Sequence, residues 1–570
     1  MKKLIAIFIM LTIFSPAVYA WEGAEEYDLR KNLAQSNELN VYTESGTDSA
    51  PYFGARLEPR SGVYFGTLTE NNGEIRNFPT LLSYMEFDSK QSDLYVPSYK
   101  MIKENKNMNI MIAWNVAKAE TIRNIDSYTD YIESVVKKFS EYGRNVYIRF
   151  AGEMNDAEIG TGEEYIRAFR KVADVARRYD NLAMVWSPIA LGSLVKPFGD
   201  YYPGDEYVDW IGISSYQINY LWGDRDVAED NKKAFMTGRY AWQTNSIKPM
   251  IKFMNDNNIR KPIMISEGGV ANRNTFGEDT SEWAAKRLRN MYWDVIMEYP
   301  QVKMINYFNT QIPGEVELFN FVGNKSLIDI VNEATGSGAY ITLDGGNTFS
   351  FAKIQDTATL TGPQISLYAH AHATGAEDIT VEYYVNGAKI GSVSVSPNKV
   401  MLNLNTLPDG THTLEARSLN GSQQLNSKSY TFTKLGAFAR FGAGKIAETS
   451  QINVSLDGKQ IVFDVQPCII ADRTLVPLRA FANALGISDN NIEYNDTDKT
   501  VTLKNGSDTV RLYVNNHTAY VNNNETELDV PPTIIDGRTL VPLRFISENF
   551  RCNVEHSNTN NALNIMLTRK

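Results

Sequence analysis

Between residues 60 and 310, eight short apolar runs alternate with longer amphipathic stretches. The runs are Gly62–Gly66, Leu82–Phe87, Asn109–Trp114, Asn145–Phe150, Leu182–Ser187, Val208–Ser214, Pro262–Ser266 and Val302–Phe308. They lack polar alternation, as expected of parallel strands buried on both faces. Between them, Tyr128–Phe139 gathers Tyr131, Ile132, Val135, Val136 and Phe139 on one helical face. Gly162–Tyr179 does so with Tyr165, Ile166, Phe169, Val172, Ala173 and Ala176. Ser281–Tyr299 does so with Ala284, Leu288, Met291, Tyr292, Val295 and Ile296. Eight such units over about 250 residues predict a (β/α)8 TIM barrel. An open doubly wound sheet shares the alternation, but no glycine-rich phosphate fingerprint follows any run.

The chain has 570 residues, and single cores stop growing near about 250–300 residues. Further domains are therefore expected. Thr348–Thr433 reads as short alternating strands divided by turn signals at Asn386-Gly387, Pro408-Asp409-Gly410 and Asn420-Gly421. That pattern predicts a β-sandwich. Beyond it, Asp464–Phe481 (DVQPCIIADRTLVPLRAF) recurs as Asp529–Ile546 (DVPPTIIDGRTLVPLRFI), 65 residues later. A duplicated small α+β domain is expected there. The expected order is a signal peptide at 1–20, an N-terminal extension at 21–54 and a barrel at 55–340. A sandwich at 345–435 and a duplicated domain at 437–570 follow, with repeats at about 453–515 and 516–570.

Lys2 and Lys3 precede an apolar run, Leu4–Phe14, and Ala17-Val18-Tyr19-Ala20 ends in small residues. This predicts a cleaved signal peptide and export; the run is too short to span a bilayer, which takes about 20 residues. No cysteine follows it, so a lipoprotein is not expected. Losing those two lysines takes the net charge from −11 to −13. So acidic a chain repels phosphate backbones, and no nucleic-acid partner is expected. A monomer is the expected state.

All five histidines lie at or beyond His370, and the two cysteines are Cys468 and Cys552. The predicted barrel therefore has neither imidazole nor thiol. Ser-His triads, Cys-His pairs and histidine-ligated zinc are excluded there. Carboxylates, Tyr, Lys or an all-oxygen metal site remain; neither a metal nor a cofactor is expected. Barrel chemistry sits at the C-terminal strand ends. The fourth run passes into Ala151-Gly152-Glu153, and the seventh into Glu267-Gly268-Gly269. Two carboxylates across one mouth suit glycosidic cleavage: one protonates the leaving oxygen, the other attacks the anomeric carbon. Gly268 and Gly269 are expected to give the backbone freedom beside Glu267.

RFAGEMND (Arg149–Asp156) resembles the acid/base motif of family 26 glycoside hydrolases, the β-mannanase group, and ISEGG (Ile265–Gly269) resembles their nucleophile motif. YYPGDEYVDWIGISSY (Tyr201–Tyr216) is similar to the segment that family carries through its sixth strand, and order and spacing agree over about 55–330. The resemblance implies Glu153 as general acid/base, Glu267 as nucleophile and retention of configuration, with carboxylates about 5–5.5 Å apart. It implies an exported endo-acting hydrolase of β-linked polysaccharide, mannan-type as first expectation. A bell-shaped pH profile in the mildly acidic to neutral range is expected. The family usually carries His just before the acid/base Glu, where this chain has Gly152. Arg149 and Asn155 are candidates for the sugar contact that glycine cannot make. Where the family often has a Trp platform, the eighth run ends Tyr307-Phe308-Asn309.

Sugar rings present apolar C–H faces, so aromatics at strand ends are candidate substrate contacts. Trp114, Trp186 and Tyr216 occupy such ends, and Trp222 follows the sixth run. Core packing is the competing reading for each. Tyr216 is the strongest candidate, placed to hydrogen-bond Glu267.

Residues 348–434 resemble a bacterial Ig-like module, and 437–570 resemble a copper-amine-oxidase N-terminal-like domain. Such domains recur in secreted or surface proteins of Gram-positive bacteria. The resemblance thus implies attachment to cell-wall glycan or a spacer role. His517 and His556 are too few there for a copper site. His370 and His372 share a strand face as a weak candidate metal pair, and Cys468 and Cys552 are a candidate disulfide after export. Two other readings stay open: a glycan-binding surface protein with an inactive barrel, and a structural surface-layer component.

Overall fold

The computed structural model describes residues 37–570 except 46–50, 70–74, 76–77, 88–95, 156–158, 190–196, 218–240, 275, 312–313, 315, 317, 322, 346–347, 355–358, 374–375, 377, 437, 442–451, 471–472, 496–498, 515, 536–537 and 560–561. The predicted signal peptide and Trp222 lie outside the described residues.

Eight parallel strands form the barrel: β1 (Val63–Thr69), β2 (Thr80–Glu86), β3 (Asn109–Asn115), β4 (Val146–Phe150), β5 (Leu182–Trp186), β6 (Trp210–Gln217), β7 (Ile263–Val270) and β8 (Val302–Asn309). Each pairs with the next, and β8 closes the sheet on β1 through Tyr64↔Met304 to Thr69↔Asn309. The runs are continuously apolar because both faces are buried. In β3, Met111 and Ala113 join the inner cluster with Leu82, Tyr147, Val185 and Met264. Ile110, Ile112 and Trp114 point outward, under the helices. Those helices follow the expected periodicity. Thr129–Ser140 buries Ile132, Val135, Val136 and Phe139. Gly162–Ala176 starts at a capping box in which Thr161 and Glu164 satisfy each other's backbone N–H.

Residues upstream of β1 close the barrel floor. The Glu58 carboxylate accepts the Phe53 N–H at 3.0 Å and the Ala55 N–H at 3.1 Å. The Tyr147 hydroxyl donates to the Leu57 carbonyl at 2.9 Å, and the Trp210 indole N–H donates to the Arg56 carbonyl at 2.8 Å.

Two antiparallel sheets follow the barrel as a sandwich. One holds, in order, Ser350–Lys353, Asn37–Ser45, Gln364–Ala373 and Val400–Asn403. Part of the stretch expected as an N-terminal extension is thus an interior strand of this sandwich. Its Leu39 and Val41 pack into the core with Leu367, Ala369 and Ala371. On the opposite face of the same sheet, Tyr368 packs into the barrel's outer cluster. His370 and His372 share that face and are buried, and no cluster of three metal-ligating side chains occurs among the described residues. Barrel and sandwich also meet at Asp294, in a single π-helical turn, Asn290–Asp294, that interrupts the helix expected over Ser281–Tyr299. The Ser396 hydroxyl donates to Asp294 Oδ1 at 2.9 Å, and Asn290 Nδ2 donates to Oδ2 at 2.8 Å.

The C-terminal repeats interlock. The two RTLVP strands, Arg473–Pro477 and Arg538–Pro542, pair antiparallel about Val476↔Val541. Each repeat's arginine bonds the other's aspartate: Arg473–Asp529 at 2.7 Å and Arg538–Asp464 at 2.6 Å. The candidate disulfide is absent: Cys468 and Cys552 are both free and buried, in separate apolar clusters.

Candidate active site

Strand alternation sets the inner layer at the barrel mouth. On β4, Tyr147 and Arg149 point inward; on β6, Trp210, Ser214 and Tyr216 do. Arg149 is 3% exposed. A buried guanidinium is stable only when paired, and here four hydrogen bonds hold it. Nη1 donates to Glu267 Oε2 at 2.9 Å and Nη2 to Glu153 Oε1 at 3.3 Å. Nη2 also donates to Ser214 Oγ at 3.2 Å, and Nε to Ser187 Oγ at 3.0 Å. Burial pulls the Arg149 guanidinium down, but the Glu267 and Glu153 carboxylates outweigh it and raise it above its ordinary value. It stays a cation at any working pH.

Glu153 leaves β4 through unusual backbone. Ala151 (φ 44°) and Glu153 (φ 61°) both occupy the left-handed region, which is strained for residues with a Cβ. The Glu153 N–H is held by the Ser187 carbonyl at 2.7 Å. Its carboxylate also accepts from the Ser214 hydroxyl. At 26% exposure its side chain is the more accessible of the two carboxylates; that of Glu267 is 3% exposed.

Glu267 faces the mouth because of a β-bulge. Ile213 pairs with Ile265, yet Ser214 pairs with Glu267, so Ser266 is an extra residue on β7. The β8 side shows the same slip, from Ile265↔Ile305 to Gly268↔Tyr307. Bulges re-aim side chains, and this one lets Ser266 and Glu267 both serve the interior. Ser266 Oγ lies 2.8 Å from Ser187 Oγ and donates to the Ile213 carbonyl at 3.2 Å. Glu267 Oε1 accepts the Tyr216 hydroxyl at 2.5 Å. Gly268 and Gly269 serve space rather than freedom. A Cβ on Gly268 would meet the Ser215 carbonyl at 2.5 Å, and one on Gly269 would meet Phe319 at 2.8 Å. Neither has positive φ.

Tyr216 packs edge-on against Phe308 (6.0 Å between centroids) and Phe319 (5.2 Å), and Tyr84 packs against Phe308 (6.4 Å). The phenols of Tyr216 and Tyr84 are pushed well above their usual range, by burial first and then by the Glu267 charge. Both remain neutral phenols. Tyr84, Ser187, Ser214 and Ser266 escaped the sequence reading. Alternation carried the signal for two of them: Tyr84 lies two residues beyond inward Leu82, and Ser214 two before Tyr216.

Of the expected site residues, Arg149, Glu153, Glu267 and Tyr216 converge. Asn155 does not: it is buried and spent on backbone, with Nδ2 donating to the Ile189 carbonyl and Oδ1 accepting the Ile189 N–H, both at 2.8 Å. Trp114 and Trp186 do not either, because the even positions of both β3 and β5 face the helices. Trp114 packs on Phe87, Phe139 and Phe150. Trp186 packs on Tyr202 and Phe253. Both are fully buried there.

With this geometry in place, the comparisons with known proteins divide the chain the same way. Residues 91–295 match glycosyl hydrolase family 26, residues 348–416 a bacterial Ig domain, and residues 455–565 a copper amine oxidase N-terminal domain. A β-1,3-xylanase (TXYA) from Vibrio sp is 34% identical over 98 residues, covering 16% of this chain and 20% of the relative. Endoglucanase H of Acetivibrio thermocellus is 24% identical over 222 residues, covering 35% of this chain and 22% of that protein. The chain thus spans about a fifth of each of these curated relatives. Among solved structures, a Cellulomonas fimi endo-β-1,4-mannanase double mutant aligns at a TM-score of 0.36 and 13% identity, over 68% of this chain and 99% of that one. Over residues 91–295 the barrel is thus similar to glycosyl hydrolase family 26.

Proposed function

We propose that this protein is an exported glycoside hydrolase that cleaves neutral β-linked polysaccharide with retention of configuration. The observation that carries the reading is Arg149 joining Glu153 and Glu267 across a barrel mouth. Carboxylates on neighbouring nitrogens of one guanidinium sit close, which favours the short separation of about 5–5.5 Å used by retaining enzymes over the wider inverting one.

In the first step, Glu267 attacks the anomeric carbon and forms a glycosyl ester. The bond from that carbon to the glycosidic oxygen breaks, and Glu153 gives its proton to that oxygen. In the second step, water attacks the same carbon, Glu153 takes its proton, and the ester bond to Glu267 breaks. Arg149 and Tyr216 orient the nucleophile and hold its charge before attack. The division of labour follows accessibility. Glu267, held by Arg149 and Tyr216, is placed as the nucleophile, and the more exposed Glu153 as the group that exchanges the proton. The working range is therefore bell-shaped in pH.

Mannan-type substrate is the first candidate, from the motifs. β-1,3-Xylan is the second, from the Vibrio relative's name. The N-terminal segment supports export, and the duplicated domain is proposed to attach the enzyme to cell-wall glycan. The test is reducing-end release from mannans, xylans and glucans, with the first product's anomer read by proton NMR. Wild type releases ends with retained configuration, while Glu153→Gln and Glu267→Ala do not. No release from any glycan overturns the hydrolase reading in favour of glycan binding.

A further inference from the structure

A third carboxylate points into the same mouth. On β2, Leu82 and Tyr84 belong to the inner cluster and Leu81 and Met85 to the outer one. Alternation therefore turns Glu86 inward, one pleat above Tyr84. On β3, the same alternation places Asn115 above inward-facing Met111 and Ala113. The two residues are direct register partners, Glu86↔Asn115, so their side chains stand side by side at the mouth. Both are partly exposed, as is Tyr84 beneath Glu86, whereas Ala113 beneath Asn115 is buried. Glu153, Glu267 and Arg149 already satisfy one another, whereas Glu86 has no cation bonded to it among the described residues.

We propose that Glu86 and Asn115 form a sugar-binding subsite for the ring adjoining the one under attack. This rests on the hydrolase reading above. One pleat is about 6.6–6.8 Å along a strand, so Glu86 stands roughly one ring beyond Tyr84, the neighbour of Glu267. A carboxylate that accepts from hydroxyls beside an amide that both donates and accepts suits a vicinal pair of free sugar hydroxyls. The charge sets a second condition. Glu86 has no cation beside it among the described residues, so a ring bearing a uronate or sulfate there is repelled. The subsite takes neutral, unsubstituted sugar.

The test pairs kinetics with binding, on wild type, Glu86→Ala, Glu86→Gln and Asn115→Ala of the full chain. On the neutral glycan that wild type cleaves, Glu86→Ala lowers kcat/KM by about tenfold or more, mainly through KM, as loss of charged hydrogen bonds implies. Glu86→Gln narrows the gap between neutral and uronate-bearing oligosaccharides. Unchanged kcat/KM in both Glu86 variants overturns the subsite, whatever happens at Glu153. Should wild type cleave nothing, the hydrolase reading falls by itself. Calorimetric titration of neutral oligosaccharides then decides the subsite: weaker binding to Glu86→Ala than to wild type supports it, and equal or absent binding overturns it.

Discussion

A Cβ on Gly152 would stand 2.5 Å from Nε of Arg149 and 2.6 Å from its Cζ. The guanidinium occupies the space a side chain at 152 would need, and four hydrogen bonds hold it there. The glycine has no positive φ, so the obstacle is Arg149 and not the backbone. Gly152→Ala is expected to push the guanidinium off one of its carboxylates. Misplacement of about 1 Å near the chemistry costs on the order of 10²-fold in rate. Steady-state kcat should fall at least tenfold. Wild-type kcat in Gly152→Ala would show that the arginine yields freely.

Arg149 also holds a stability role separable from catalysis. Removing one partner of a buried ion pair strands the other charge, at about 3–5 kcal/mol. Arg149→Met is therefore expected to destabilise by about that much, chiefly through Glu267. Adding Glu267→Gln removes the stranded charge, so the double variant should be less destabilised than the sum of the singles. Denaturant melts of the four proteins complete the cycle; strict additivity would mean that the pair is not coupled.

Much of this site was legible because barrels fix which strand ends meet. Glu153, Glu267 and Tyr216 follow from strand-end position. The bulge at Ser266 was not legible: strict alternation would turn Glu267 toward the helices once Ile265 points outward. Only the pairing of β7 with both neighbours reveals the extra residue. Trp114 and Trp186 misled because a strand-end position says nothing of which face a residue occupies. Asn386-Gly387 and the other turn signals marked the sandwich, but local pattern could not reveal its strand from Asn37–Ser45. That pairing joins residues more than 300 positions apart, such as Tyr42↔Tyr368.

That strand carries the third prediction. It lies between Ser350–Lys353 and Gln364–Ala373, so removing it leaves unpaired edges on both. Leu39, Val41 and Tyr42 would vanish from the packed interior, each worth about 1.5–3 kcal/mol. Their sum approaches the stability of a whole domain, about 5–15 kcal/mol. A chain beginning at residue 47 should lose the sandwich's calorimetric transition. Limited proteolysis should then cut within 350–441 before it cuts the barrel. A sandwich that melts at the wild-type temperature without its strand would refute this.

The cysteines supply a last prediction, with a pH sign. Burial pushes the Cys468 thiol up to about 12, and burial also raises Cys552. Thiol reagents attack the thiolate, and a raised pKa keeps the thiol protonated at pH 8. Its reactivity should therefore rise only as pH climbs toward 12, rather than through the ordinary range near about 8.5. Ellman titration of the native protein at pH 8 should find almost no reactive thiol, and two equivalents in denaturant without reductant. The second number separates buried thiols from a disulfide, which would yield none.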